Sequence, residues 1–276
     1  MTPAPAADLA ARCRPARLVA VVNATPDSFS DGGSCLDPGA AAAHATAHAE
    51  AGADALDLGG ESTRPGAEPV SAAEELARVL PALRAIRAAG IRLPITVDTA
   101  KGAVARAALD AGADGINDVT GGSDPDLLAA CAAARCPLVL MHSRGTPKTM
   151  QADPRYGGDE AGAVAAALLA ARDRAVAAGV APERIVLDPG IGFAKTAGHN
   201  LELLRALPRF DALGHALLVG LSRKRFLGAL AGEPDPARRD GLSHLLHAFI
   251  APWCDWLRVH DPAGARAALA LAAERP

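Results

Sequence analysis

Residues 18–33 read LVAVVNATPDSFSDGG, an apolar run that stops at Asn23 and continues into a polar loop ending in two glycines. The five residues before Asn23 are apolar without alternation, which is typical of a strand buried on both faces. The loop that follows is rich in Thr, Asp and Ser and cannot bury itself. We therefore expect Asn23 at the carboxyl end of a buried parallel strand, where α/β folds bind their ligands.

The same unit recurs along the chain: an apolar run, a polar residue at its end, and an Ala-rich helical segment that stops at a glycine. Eight such units can be counted, whereas an open doubly wound sheet usually has about five or six strands. A closed eight-stranded barrel takes about 250 residues, close to the 276 present. We predict a single (β/α)8 TIM barrel over residues 18–276, preceded by an N-terminal extension of residues 1–17, with the active site at the C-terminal ends of the strands.

Charge and hydropathy argue against nucleic acid and membranes as partners. The chain has 28 Lys and Arg against 31 Asp and Glu, a net charge of -3, and no basic stripe that could follow a phosphodiester backbone. No run approaches the roughly 20 apolar residues that cross a bilayer, and residues 1–17 lack the apolar core of a signal peptide. The five cysteines form no Cys-x-x-Cys pair, which is typical of reduced thiols. We expect a cytoplasmic protein.

In a barrel, the residues at the carboxyl ends of all the strands meet at one mouth, although they lie far apart in sequence. The polar candidates at these ends are Asn23, Glu61, Thr63, Arg64, Asp98, Asn117, His142, Asp188, Lys224, Arg258 and His260. The cations or potential cations suit phosphate or carboxylate groups; they are Arg64, Arg223, Lys224, Arg258 and His260. Asp98, Asn117 and Asp188 suit the ring N–H and amino groups of a fused heterocycle. The predicted substrate has a polar ring at one end and an anion at the other.

Taken singly, these residues have simpler interpretations. Asn23 could cap a turn, and Asp98 and Asp188 could each begin a helix. Lys224 lies between two arginines and could belong to a solvated basic patch. The convergence of all the strand ends on one mouth favours a binding site over these local roles.

Eight segments, one at each strand end, closely resemble the dihydropteroate synthases. They are Asn23–Gly33, Asp57–Gly66, Thr96–Thr99, Ile116–Val119, Met141–Pro147, Asp188–Phe193, Gly220–Lys224 and Arg258–Asp261. One such segment alone would be a weak match, but the resemblance covers residues 18–271. It implies a transferase that condenses 6-hydroxymethyl-7,8-dihydropterin diphosphate with 4-aminobenzoate, giving 7,8-dihydropteroate and diphosphate in folate biosynthesis. It also implies a Mg²⁺ cofactor and a homodimer.

The resemblance further implies a role for each matching residue. Asn23 would hold Mg²⁺ on the leaving diphosphate. The dihydropterin diphosphate would be bound by Thr63, Asp98, Asn117, Asp188, Lys224, Arg258 and His260. The 4-aminobenzoate would be bound by Phe29, Arg64, Pro65, Phe193, Arg223 and Arg225. The residues with implied catalytic roles are Asp98, Lys224, Asp31 and Arg64. The resemblance also implies that Phe29 and Asp31 belong to a mobile first loop that closes over the reacting carbon.

Four features depart from the family pattern, of which the first is Ser143 in place of a commoner Met. Arg225 stands where a serine is frequent, and Trp253 and Cys254 replace a Gly-Ala pair before the last strand. Residues 241–244 also differ, in a helix that such synthases use to dimerise. Arg225 and the Trp253-Cys254 pair favour one alternative, a non-catalytic pterin-binding paralogue or partner subunit. A pterin-dependent methyltransferase on the same barrel is a second alternative, although it is not expected to need the loops at 25–33, 62–65 and 222–224 together.

Overall fold

The computed structural model describes residues 8–25 and 37–274. Its centre is a closed barrel of parallel strands that follow one another in sequence order. The strands are β1 (Arg17–Asn23), β2 (Ala55–Gly59), β3 (Ile95–Asp98), β4 (Gly115–Asp118), β5 (Leu138–Met141), β6 (Ile185–Asp188), β7 (Ala216–Gly220) and β8 (Trp256–Val259). Pairing of β1 with β8 closes the ring. The predicted (β/α)8 barrel is confirmed.

Helices surround the barrel and connect its strands. They are α1 (Pro38–Glu50), α2 (Ala72–Ala88), α3 (Gly102–Asp110), α4 (Pro125–Ala134), α5 (Glu160–Ala177), α6 (Ala197–Arg205), α7 (Leu207–Asp211), α8 (Arg225–Ala231), α9 (Asp240–Ile250) and α10 (Pro262–Ala273). Asp37 and Ser71 cap α1 and α2, since Asp37 accepts from the N–H of Gly39 and Ser71 from that of Glu74. None of the helices within residues 8–25 and 37–274 is long and apolar enough to cross a membrane.

Side chains of each strand alternate between the helical shell and the barrel interior. Leu18 and Ala20 of β1 face the shell core, whereas Val19 between them belongs to a separate interior cluster. The shell is built with many alanines, which let the helices approach the sheet closely. This alternation decides which residues of each strand can reach the interior, and therefore the mouth.

Residues 8–16 cover the amino-terminal end of the barrel. Leu9 and Ala10 pack against the lower interior layer, whose members are Val19, Ala55, Val139, Val186, Ala216, Leu218 and Trp256. The buried carboxylate of Asp255 accepts hydrogen bonds from the backbone N–H of Cys13 (2.6 Å) and of Leu217 (2.9 Å), and it pairs with Arg14. These contacts join the segment to the barrel; the predicted division at residues 17 and 18 stays a prediction.

Candidate active site

The polar layer of the mouth lies directly above the apolar interior layer. Side chains two positions apart on a strand face the same side of the sheet. On four strands, an ionisable side chain lies two positions after an uncharged residue that faces the barrel interior. The pairs are Ala55 and Asp57, Thr96 and Asp98, Val186 and Asp188, and Trp256 and Arg258. Register pairs Gly59 with both Asn23 and Asp98, and Asp98 with Asn117, so these strand ends lie at one level. The structure therefore brings together Asn23, Asp98 and Asn117, three of the polar residues that the sequence places at strand ends.

Arg258 and Asp57 form the centre of this layer. The Nη2 group of Arg258 donates to Oδ2 of Asp57 at 2.6 Å and to Oδ2 of Asp98 at 2.8 Å. Asn117 donates through Nδ2 to Asp57 Oδ2 at 3.0 Å, and Thr96 donates to Asp57 Oδ1 at 2.7 Å. A buried guanidinium held between two carboxylates is stable only when such hydrogen bonds satisfy it.

Burial shifts the protonation equilibria of the carboxylates at the mouth. It raises the pKa of Asp98 to about 7; the charge of Arg258 opposes this rise and that of Asp57 adds to it. Burial also raises the pKa of Asp188, against a 2.7 Å hydrogen bond from the N–H of Gly190. Both groups can therefore exchange a proton at a pH nearer neutrality than an exposed carboxylate does.

Two buried atoms of the layer have no hydrogen-bond partner within the described residues. They are Oδ1 of Asn117, an acceptor, and Nε of Arg258, a donor. Leaving a buried polar group unsatisfied costs about 1–3 kcal/mol. The two atoms therefore indicate a site that a polar ligand completes.

Lys224 lies beside the aromatic ring of Phe193. Its Nζ is 4.0 Å from the centroid of the ring, within the range of a cation–π contact. Burial and the charge of Arg258 lower the pKa of Lys224 to about 8, against the opposing effect of Asp188. Gly192 has a φ of +85°, a conformation that favours glycine. A Cβ atom at this position would lie 3.0 Å from Cδ of Lys224, so a side chain here would displace the lysine.

Two buried residues of the site were not predicted from the sequence. Asp57 carries a detectable signal, because it is a charged residue inside the apolar strand Ala55–Gly59. Lys195 carries no such signal in the sequence. Its ammonium donates to the carbonyl of Phe193 at 2.8 Å and lies 3.0 Å from Nδ1 of His142, so it ties the segment that carries Phe193 to the end of β5.

His260, which the sequence predicts to bind an anion, lies just after β8 and contacts Ser222. The Nδ1 atom of His260 lies 3.0 Å from the hydroxyl oxygen of Ser222. Burial lowers the pKa of His260 to about 3, and the neighbouring cations Arg223 and Arg258 add to this effect. The imidazole is therefore neutral at pH 7 and offers a hydrogen bond rather than a charge.

Several predicted residues lie outside the buried layer. Arg64 and Pro65 are exposed on the β2–α2 loop and Thr63 there is half-buried. This loop contacts the β5–α5 loop, since the N–H of Gly66 donates to the carbonyl of Pro147 at 2.9 Å. The roles predicted for these loop residues stay predictions.

The two arginines that flank Lys224 differ in their contacts. Arg223 has a φ of +58° and makes two 2.7 Å hydrogen bonds to Asp240 at the start of α9. Arg225 is exposed as the first residue of α8. Neither contacts the buried layer, so their predicted contacts with 4-aminobenzoate stay predictions. Phe29 and Asp31 lie outside the described residues.

The predicted metal ligand, Asn23, ends β1 at the rim of the mouth. A Cβ atom built on Gly59 would lie 3.7 Å from Oδ1 of Asn23 and 3.8 Å from Cβ of Asp98. The side chains of Asn23 and Asp98 therefore lie on the same side of β2. Within residues 8–25 and 37–274, no three His, Cys, Asp or Glu side chains are grouped to hold a metal. Mg²⁺ often binds through one or two protein oxygens, substrate phosphates and water. An amide oxygen at this position fits that mode of binding.

Comparisons with known proteins agree with this geometry. The chain matches the family model described as "Pterin binding enzyme" over residues 19–260. The dihydropteroate synthase of Synechocystis sp. is 47% identical over 246 residues, which cover 88% of this chain and 84% of that protein. The structure of Xanthomonas albilineans dihydropteroate synthase with 4-aminobenzoic acid is 43% identical, with a TM-score of 0.88 and 95% of each chain covered. A structure of the Xanthomonas enzyme in complex with 7,8-dihydropteroate is 39% identical, with a TM-score of 0.84 and 95% of each chain covered. The chain belongs to the dihydropteroate synthase family of pterin-binding enzymes.

Proposed function

We propose that this protein is a dihydropteroate synthase that joins 6-hydroxymethyl-7,8-dihydropterin diphosphate to 4-aminobenzoate, releasing diphosphate. The observation that carries this proposal is the buried polar layer at the mouth, with the free acceptor of Asn117 and the free donor of Arg258. A fused ring with N–H and amino groups on one edge and an acceptor on another complements this layer. The reaction itself is inferred from the family to which the chain belongs.

The dihydropterin ring is bound by Asp98, Asn117 and Asp188, with Lys224 at one side. All three acceptors are nine-tenths or more buried, so their hydrogen bonds to the ring are formed away from water. Hydrogen bonds of this kind to ionised groups contribute about 1.5–3 kcal/mol each. The binding free energy of the ring holds its methylene carbon at the rim of the mouth.

The diphosphate is bound by Thr63, Arg258 and His260 together with Lys224. These groups face the negative charge that grows on the diphosphate as it leaves, and fixed donors of this kind stabilise a transition state more than a ground state. Asn23 would hold Mg²⁺ here, and the ion would supply additional positive charge to the leaving group when bound. Loss of one preorganised contact in such a site raises the barrier by about 3–4 kcal/mol.

The reaction is a displacement at the methylene carbon. The carbon–oxygen bond to the diphosphate breaks, a carbon–nitrogen bond to the aniline nitrogen forms, and that nitrogen releases a proton. The electron-rich dihydropterin delocalises the positive charge that develops on the carbon, so no covalent nucleophile of the protein is needed. Closure of the loops that carry Asp31 and Arg64 would exclude the water that competes for this carbon.

The 4-aminobenzoate is bound at the rim of the mouth. Phe193 offers an apolar face beside Lys224, and Phe29, Arg64, Pro65, Arg223 and Arg225 complete the site. A carboxylate on the substrate pairs well with an arginine of the rim.

A homodimer is the proposed assembly. Its interface would include the outer face of α9, where Leu245 is 69% exposed and Phe249 is 65% exposed. Such apolar residues, one helical turn apart, form a surface that association would bury. Ser243 of this helix instead faces inward and accepts a hydrogen bond from the N–H of Arg223 at 3.0 Å. We expect the dimer to be cytoplasmic.

The altered residues before the last strand do not favour the non-catalytic alternative. Cys254 is buried and precedes Asp255 at the amino-terminal end of the barrel, and Trp253 packs on the shell core. Both therefore lie at the opposite end of β8 from Arg258. Arg225, by contrast, directly follows Lys224 of the mouth.

The direct test is an assay of the purified protein with dihydropterin diphosphate, 4-aminobenzoate and Mg²⁺, measuring both diphosphate and dihydropteroate. We expect equal amounts of the two products. A folded protein that binds the dihydropterin diphosphate but forms no dihydropteroate would instead be the non-catalytic paralogue.

A further inference from the structure

Asp57 is a buried carboxylate of the mouth to which neither the sequence analysis nor the proposed mechanism assigns a role. It lies at the middle of β2, faces the barrel interior and is 1% exposed. Its two oxygens receive three polar contacts: Thr96 donates to Oδ1, and Asn117 and Arg258 both donate to Oδ2. A charged residue is placed in a buried strand only where its partners compensate for the lost hydration.

The contact with Asn117 fixes the orientation of that amide. A carboxylate oxygen can only accept, so the group of Asn117 that lies 3.0 Å from Asp57 must be the NH2 and not the carbonyl oxygen. The carbonyl oxygen of the amide then has to point away from Asp57. This is the buried Oδ1 atom that has no partner within the described residues.

The contact with Arg258 has the same effect on the guanidinium. Asp57 Oδ2 and Asp98 Oδ2 both accept from Nη2, at 2.6 Å and 2.8 Å. Two acceptors on one terminal nitrogen fix the plane of the guanidinium, and they leave its Nε without a partner within residues 8–25 and 37–274. The free donor and the free acceptor of the mouth therefore both depend on Asp57.

We propose that Asp57 is a positioning residue for the dihydropterin: its carboxylate fixes Asn117 and Arg258 so that one free acceptor and one free donor face the ring. The proposal rests on the proposed function of the same site. In this proposal, the preference of the site for the dihydropterin ring depends in part on Asp57, which does not touch the ring. A ring that lacks an N–H opposite Asn117 would leave the Oδ1 atom unsatisfied and would bind more weakly.

The test compares Asp57→Asn with a matched variant at the other end of the barrel, Asp255→Asn. Asp255 is also a fully buried carboxylate that accepts from an arginine and from N–H groups, but its partners are Arg14, Cys13 and Leu217. We expect Asp57→Asn to raise the KM for dihydropterin diphosphate by about tenfold or more, with the KM for 4-aminobenzoate within about twofold of wild type. We expect Asp255→Asn to lower the Tm and to leave both KM values unchanged.

Equal KM values for dihydropterin diphosphate in Asp57→Asn and wild type would overturn the proposal, and so would an equal rise of both KM values. If Asp57→Asn does not fold, Thr96→Val decides the question, because it keeps the carboxylate and removes the hydroxyl that donates to Oδ1 of Asp57 at 2.7 Å. We expect a rise of about threefold in the same KM, and no rise would contradict the positioning role. A different result would contradict the proposed function itself: no dihydropteroate formed by wild type or by Asp255→Asn.

Discussion

The two ends of the barrel differ in how the same strands are completed. At the amino-terminal end, Leu9 and Ala10 close an apolar layer, and the buried Asp255 receives hydrogen bonds from backbone N–H groups and Arg14. At the carboxyl end, Asn117 and Arg258 keep buried polar atoms without partners in the described residues. Buried polar atoms without a hydrogen-bond partner also occur elsewhere in the described residues, for example in Trp256 of the lower layer and His247 of α9. The mouth differs because its acceptor and its donor lie together in a layer of ionisable side chains, joined through Asp57.

The largest expected effect separates the ends by activity. Asp98→Asn and Lys224→Ala each remove a group that faces the substrates, so each should lower turnover by about a hundredfold or more. The measurement is the steady-state rate, together with a thermal melt that shows the variant to be folded. Wild-type rates in both variants would mean that the buried layer is not the site of reaction.

The second effect separates them by stability. Leu9 is 1% exposed in the lower layer, so Leu9→Ala should reduce the free energy of unfolding by about 2–4 kcal/mol through the cavity it leaves. Its turnover at 25 °C should stay within about twofold of wild type, because the lower layer makes no contact with substrate. Denaturant unfolding measures the first quantity. A large loss of turnover in the folded variant would contradict the division of roles between the two ends.

The third effect is a pH dependence that only the mouth should show. Below about pH 7, Asp98 becomes protonated and loses an acceptor, because its pKa is raised to about 7. Above about pH 8, Lys224 loses its charge, because its pKa is lowered to about 8. We expect kcat/KM for dihydropterin diphosphate to be highest between these values and to fall on both sides. A flat profile between about pH 6 and pH 9 would refute this assignment.

The smallest effect concerns the rim. Arg225 is exposed, and an exposed ion pair contributes about 1 kcal/mol or less. Arg225→Ser should therefore change the KM for 4-aminobenzoate by about threefold to fivefold and leave that for dihydropterin diphosphate unchanged. Steady-state kinetics with each substrate varied in turn measures both. An effect confined to the dihydropterin substrate would place Arg225 elsewhere.

Strand ends were predictable because they depend on a local pattern. An apolar run that stops at a polar residue and is followed by a helical segment needs no knowledge of distant residues, and Asn23, Asp98, Asn117 and Asp188 all end or nearly end strands as predicted. Repetition of this pattern also predicts closure, since each unit adds one parallel strand to the ring.

Contacts across the barrel were not predictable in the same way. The pairing of Asp57 with Arg258 joins residues of β2 and β8, which become close only when the ring closes. The pairing of Arg223 with Asp240 depends on a left-handed backbone conformation that nothing in the sequence around it requires. Leu9 lies in a segment without strand or helix periodicity, so its burial follows only from the open end of the barrel below it.

The central claim is that the unsatisfied atoms of the mouth bind the dihydropterin. Isothermal titration of dihydropterin diphosphate, with Mg²⁺ and without 4-aminobenzoate, tests it in wild type, Asn117→Leu and Leu9→Ala. We expect the Kd to rise by about tenfold or more in Asn117→Leu, which lacks the free acceptor, and to stay at the wild-type value in Leu9→Ala. Equal affinities of folded Asn117→Leu and wild type would contradict the claim.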